Sequence, residues 1–122
     1  MGGKRQQFGP VLRERRLEKR ISLRKFAEMI DVSPTYLSLI ETSRTEYPPT
    51  AERVRLMAKL LEADADEWIA LAGRVPDDME KIILSQPRAM PALLRAANKM
   101  DSKELKKLVA DLVKRSTKGQ VP

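Results

Sequence analysis

Apolar side chains between Ser22 and Glu41 fall into two helical stripes with a polar corner between them. Phe26, Ala27 and Ile30 stand at i, i+1 and i+4, and Leu37 and Ile40 are three apart, so each set lines one side of a short helix. Ser22 precedes the first stripe, where its hydroxyl can accept a bond from an unpaired amide of the opening turn. Ser33-Pro34 precedes the second: a cap residue, then proline at the first helical position, where no amide proton is needed. The intervening Met29-Ile30-Asp31-Val32 has room only for a sharp corner. Asp31 suits it, because aspartate enters the left-handed region more readily than most residues.

The same pattern continues on both sides. Upstream, Lys4 to Phe8 reads as a loose arm that Gly9-Pro10 breaks, followed by a helix from Val11 to Lys19 with Val11, Leu12 and Leu17 inward. Downstream, a polar loop over 42–47 closes on Pro48-Pro49. Thr50 then caps a helix from Ala51 to Leu61 with Val54, Met57, Ala58 and Leu61 as its stripe. Asp64-Ala65-Asp66 opens a short helix carrying Trp68, Ile69 and Leu71, and Ala72-Gly73 stops it. Asp77 to Ser85 predicts another helix with Met79, Ile82 and Ile83 inward. Pro87 interrupts, and a helix from Arg88 to Met100 takes Pro91 in its first turn. Asp101 and Glu104 have the spacing of a capping box. Leu105, Leu108, Val109, Leu112 and Val113 then run unbroken at i, i+3, i+4, i+7 and i+8 down the last helix. No period-two alternation argues for a strand, so the fold class expected is all-α.

Charge adds direction to this picture. The 122 residues carry 24 basic and 17 acidic side chains, a net +7. Nine Lys or Arg stand between Lys4 and Lys25 against only Glu14 and Glu18. A basic N-terminal half points to a polyanion, with phosphate the commonest, although a solvated helix face has a similar composition. A basic membrane-surface helix fits less well, since residues 11–20 offer only Val11, Leu12 and Leu17 as anchors. The chain has no Cys and no His, which excludes disulfides, thiol catalysis and the usual zinc sites. No nucleophile has an evident base, so an enzyme is not expected, and neither is a metal or other cofactor. The pairs Asp64/Asp66 and Asp77/Asp78 sit at helix starts, where the helix dipole accounts for them. Gln6 spoils a myristoylation signal, and no signal peptide or membrane span is legible, so the cytoplasm is the expected location.

Residues 8–73 resemble the Xre family of helix-turn-helix regulators, relatives of phage lambda repressor and Cro. The resemblance rests on the basic first helix with Arg16, on SLRKFAEMIDV and SPTYLSLIE, on the proline loop, and on the two helices ending at LAG. YLSLIE is the most specific of these runs. The resemblance implies a compact five-helix DNA-binding domain over 8–73, followed by a helical extension over 74–122. Its third helix would read the major groove, where thymine methyls, amino groups and carbonyl oxygens are exposed. By the same resemblance Thr35, Ser38 and Leu39 would meet base edges, with Pro34 and Thr42 at the margins and Leu39 suited to a thymine methyl. Ser22, Arg24, Ser33, Tyr36, Ser43 and Arg44 would meet phosphates, Tyr36 as a hydroxyl donor. Arg16 and Glu41 would form a buried ion pair. Three positions depart from the family pattern. Leu23 replaces a common Gln, Asp31 replaces the glycine of the turn, and Thr42-Ser43 stand where a glycine usually follows the reading helix.

The apolar stripe of the last helix has two readings: cover for the domain's own core, or a dimer interface of Leu105, Leu108, Val109, Leu112 and Val113. Two-fold operators need two-fold proteins, which favours the interface. The chain is thus expected to be a homodimeric repressor on double-stranded DNA. The alternative is an antitoxin or adaptor whose C-terminal helices hold a protein partner.

Overall fold

The computed structural model describes residues 7–119, so the expected arm lies outside them except for Gln7 and Phe8. The described residues form eight helices and no strand: α1 (Phe8–Glu18), α2 (Leu23–Met29), α3 (Pro34–Glu41), α4 (Ala51–Leu60), α5 (Ala65–Leu71), α6 (Asp77–Ser85), α7 (Ala89–Asn98) and α8 (Ser102–Gly119). They divide into two compact units between Met79 and Glu80, inside α6, whereas the sequence reading ends the first domain at Gly73.

The first unit closes one core. Leu12, Phe26, Ala27, Leu37, Val54, Met57, Ala58, Leu61 and Ile69 are fully buried, and Phe8, Ile30, Ile40 and Trp68 nearly so. Four N-caps follow the sequence reading. The oxygens of Ser22, Ser33, Thr50 and Asp64 accept the amides of Lys25, Tyr36, Arg53 and Glu67 at 3.0–3.2 Å.

The start of α1 corrects the sequence reading. Gly9-Pro10 does not break the chain; it lies in the helix's first turn, where proline's missing amide is one of four that have no intrahelical partner. Phe8, Leu12 and Arg16 are four residues apart and share the buried face. The Phe8 ring meets Trp68 edge-on, with centroids 5.7 Å apart. Gly9 is what lets α1 approach α3 so closely: a Cβ there would lie 2.3 Å from the Ile40 carbonyl oxygen and 2.7 Å from that of Glu41. Leu17, expected inside, is 53% exposed, because the buried face is already filled by those three residues.

Five helices of this unit end in one way. Arg20, Asp31, Ser43, Glu62 and Gly73 have φ between 54° and 76°. The amide after each reaches back to a carbonyl of the last turn: Ile21 to Arg16, Val32 to Ala27, Arg44 to Leu39, Ala63 to Ala58 and Arg74 to Ile69. Four of the five residues in this left-handed position are not glycine, a conformation that costs an L-residue about 1–2 kcal/mol. Guanidinium groups from other helices offset that cost by collecting the carbonyls at these ends. Arg53 donates to Ile30 O at 3.3 Å, and Arg15 donates to Leu61 O at 2.8 Å and Glu62 O at 3.1 Å. Arg74 binds the proline loop through Pro49 O and Pro48 O, both at 3.1 Å.

The second unit is built differently. α8 opens with the expected capping box: the Glu104 amide donates to Asp101 Oδ1 at 2.8 Å, and the Asp101 amide donates to Glu104 Oε1 at 3.4 Å. Pro91 takes its place in the first turn of α7. Neither α6 nor α7 has a buried residue. Met79, at the end of the first unit, and Ile82, both expected inward, are 36% and 43% exposed. In α8, Leu105 and Leu108 are half-buried, while Val109, Leu112 and Val113 are exposed. Among the described residues of this unit, the stripe is therefore only partly covered. No described helix is long and apolar enough to cross a membrane.

Candidate nucleic-acid interface

α2 and α3 are joined by the corner at Asp31, and their caps set where each begins. Leu37, Ile40 and Glu41 bury one side of α3, which leaves Pro34, Thr35, Leu39 and Thr42 exposed and Ser38 half-buried on the other. These are the residues expected at base edges, and the structure brings them together on one outward face.

The roll of that face is set by a buried pair. Arg16 Nε donates to Glu41 Oε2 at 2.7 Å, and a second guanidinium nitrogen donates to Oε1 at 2.9 Å. Arg16 also donates to Ile21 O at 2.8 Å. Both side chains are nearly inaccessible. The hydrogen bond to Glu41 outweighs the desolvation that burial imposes, and the Arg16 pKa is raised further above its ordinary value. This two-point contact ties α1 to the last turn of α3, and a planar fork holds orientation as well as distance.

The hydroxyls divide by what they have left to give. Ser22 and Ser33 accept a helix amide, so each keeps its O–H free to donate outward. Tyr36 does not. Its O–H donates to Tyr47 O at 2.7 Å, which corrects the expectation of a phosphate donor and makes Tyr36 a clasp on the loop after α3. Thr42 donates to Ser38 O at 2.9 Å and can only accept from outside. Ser43 donates to Gln7 Oε1 at 3.2 Å. Arg44 is exposed beyond the end of α3.

Arg24 lines an open cleft with Glu28, Val32, Pro34 and Thr35, at the start of α3. At its other end, Arg13 lines a shallow groove with Pro10, Glu14, Leu17, Glu41 and Thr42. Arg13 was not singled out from the sequence. The signal was there: Arg13 is three residues before Arg16, hence on the same side of α1, and the partner of Arg16 directly precedes Thr42. Arg15 and Lys19, by contrast, are occupied in pairs with Glu18 and Glu62. Leu23 packs against the core, which accounts for an apolar residue at this position.

Residues 12–68 match the helix-turn-helix family model. That segment, a little under half of the chain, is similar to DNA-binding helix-turn-helix proteins of the Xre or lambda repressor-like kind. A solved structure titled as a complex of SinR protein and SinI protein is similar at 18% identity and a TM-score of 0.49. The match covers 91% of this chain and 99% of that one. A comparison with curated proteins finds no match.

Proposed function

We propose that this chain is a sequence-specific transcriptional repressor that binds an inverted-repeat operator in double-stranded DNA as a homodimer in the cytoplasm. The observation that carries the reading is α3: its inner face is locked by Leu37, Ile40 and the Arg16–Glu41 pair, and its outer face is left open. Pro34, Thr35, Ser38, Leu39 and Thr42 then meet the major groove. Ser22 and Ser33 donate to phosphates, with Arg24, Ser43 and Arg44 beside them. Repression follows from occupancy of the operator. The homodimer is supported by the exposed apolar residues of α8, Val109, Leu112 and Val113, continuous with half-buried Leu105 and Leu108.

Selection of duplexes from a random pool tests the core of this. The selected sites should hold paired half-sites about one helical turn (~34 Å) apart or a multiple of it. Affinity should fall by orders of magnitude between low and moderate salt, and Arg44→Ala should weaken cognate and random DNA alike, whereas Thr35→Ala should weaken cognate DNA more. Unpaired sites, or a flat salt response, would remove the proposal.

A second reading assigns the C-terminal helices to a different protein, with DNA binding secondary. Leu84 and Leu94, 76% and 53% exposed on α6 and α7, favour it, since they are exposed apolar residues outside α8. Sedimentation of the purified chain separates the two. A dimer that a deletion of residues 101–122 converts to a half-site-binding monomer supports self-association. A monomer at every concentration supports the partner.

A further inference from the structure

Between Pro34 and Thr42, α3 has no Arg, Lys, Asn or Gln. It therefore lacks all the side chains that make two-point hydrogen bonds to guanine or adenine. Two of its hydroxyls are turned onto carbonyls, Tyr36 onto Tyr47 and Thr42 onto Ser38, which leaves Thr35 and Ser38 as the readers that can still donate. What the outward face offers instead is hydrocarbon. Leu39 is 38% exposed in mid-helix, with Pro34 and Thr35 exposed toward the N-terminal end. Cations bracket this strip, Arg24 in the cleft beside Pro34 and Thr35, and Arg13 in the groove beside Thr42. Glu28 and Glu14 stand in the same two hollows, so each end carries a carboxylate beside its arginine, and the middle of the strip is uncharged. A surface with cations at its ends and an apolar centre complements a major groove walled by phosphates and floored by a methyl group.

Resting on the regulator reading above, we propose that α3 recognises the 5-methyl group of pyrimidines, with Leu39 as the principal contact and Pro34 and Thr35 flanking it. Thymine is the ordinary bearer of that group. A 5-methylcytosine presents the same methyl at the same place in the groove. At a position read only through this contact, the protein accordingly separates methylated from unmethylated pyrimidine rather than thymine from cytosine. Arg13 and Arg24 anchor the strip on phosphates at its two ends.

The test uses the full chain and the strongest duplex selected from a random thymidine-containing pool. That duplex is remade with deoxyuridine replacing one thymidine at a time, which removes the methyl and leaves pairing intact. At one or two positions in each half-site, affinity should fall roughly four-fold per methyl, the equilibrium equivalent of burying one carbon. The loss should vanish in Leu39→Ala and in Leu39→Gln, both checked for an unchanged melting curve. 5-Methylcytosine at such a position should bind more tightly than cytosine. Indifference to deoxyuridine with sequence preference intact overturns this inference and leaves the regulator reading standing. Absence of any sequence preference overturns both. A deoxyuridine effect that persists in both Leu39 variants overturns the assignment to Leu39. So does a Leu39 variant that changes sedimentation and not methyl sensitivity, for that would place Leu39 in a protein contact.

Discussion

α4 and α8 carry nearly the same apolar spacing and meet opposite fates. Val54, Met57, Ala58 and Leu61 stand at i, i+3, i+4 and i+7, and so do Leu105, Leu108, Val109 and Leu112. The first four are entirely buried. Of the second four, two are half-buried, and Val109 and Leu112 are 49% and 45% exposed. Full burial of a large aliphatic side chain contributes roughly 1.5–3 kcal/mol, so α4 already realises in the monomer what α8 still holds in reserve. Helical periodicity states which side of a helix is apolar. What comes to cover that side is a separate fact, and it is the one that distinguishes a core from an interface.

The contrast can be broken most sharply at the charged pair of the first unit. Arg16→Met leaves Glu41 buried without a partner and should cost about 3–5 kcal/mol in a denaturant melt, with much of it regained when Glu41→Leu is added. Lys107→Met on α8 should be silent in the same assay. Equal losses would mean that the two units share one stability.

Next in size, Leu61→Ala should cost about 2–5 kcal/mol whatever the protein concentration. Leu112→Ala should fall within about 0.5 kcal/mol in dilute solution, and should instead lower a melting temperature that rises with concentration. A Leu112 effect as large as that of Leu61 and independent of concentration would dismiss α8 as an interface. Smaller still, Asp101→Ala removes a cap and should cost about 1 kcal/mol of helix stability, seen as lost helicity confined to α8.

The smallest effect is in acid. Lys19, by hydrogen bond and charge, and then Arg15 by charge, hold the Glu62 carboxyl below its usual range. The stabilisation this gives is complete above the unfolded carboxylate pKa and is lost as pH falls through the lower folded value. Glu62→Gln should flatten that part of the acid limb of a melting-temperature profile. An unchanged profile would assign the pair no linkage to folding.

Helix starts, and the inward stripes of α2 to α5, were legible in the sequence because both are local; Leu17, Met79 and Ile82 were expected inward and are exposed. Ser22, Ser33, Thr50, Asp64 and Asp101 each announce a helix start through chemistry completed within three residues. Gly9-Pro10 was not legible, since that pair reads as a breaker until the backbone of α3 lies against it. The outward face of α3 was legible from spacing and resemblance together. Tyr36 was not, because its hydroxyl is spent on a carbonyl eleven residues away. The same holds for arginines 15, 53 and 74, whose carbonyl partners are 22 to 47 residues distant. The charge reading counted Arg15 in the basic stretch offered to a polyanion, and in the fold all three arginines are fasteners.

Those fasteners change how the first unit opens. A helix that ends on glycine can fray from that end alone, because its stop is written in its own backbone. Here the stops of α2 and α4 are held by guanidinium groups from other helices, Arg53 reaching the end of α2 and Arg15 the end of α4. Releasing either end therefore disturbs a second helix, and α1, α2 and α4 become a single unit of motion. Amide hydrogen exchange should accordingly be slow and nearly uniform to the last turns of α2 and α4. In α8 it should quicken turn by turn toward Gly119, each turn opening on its own.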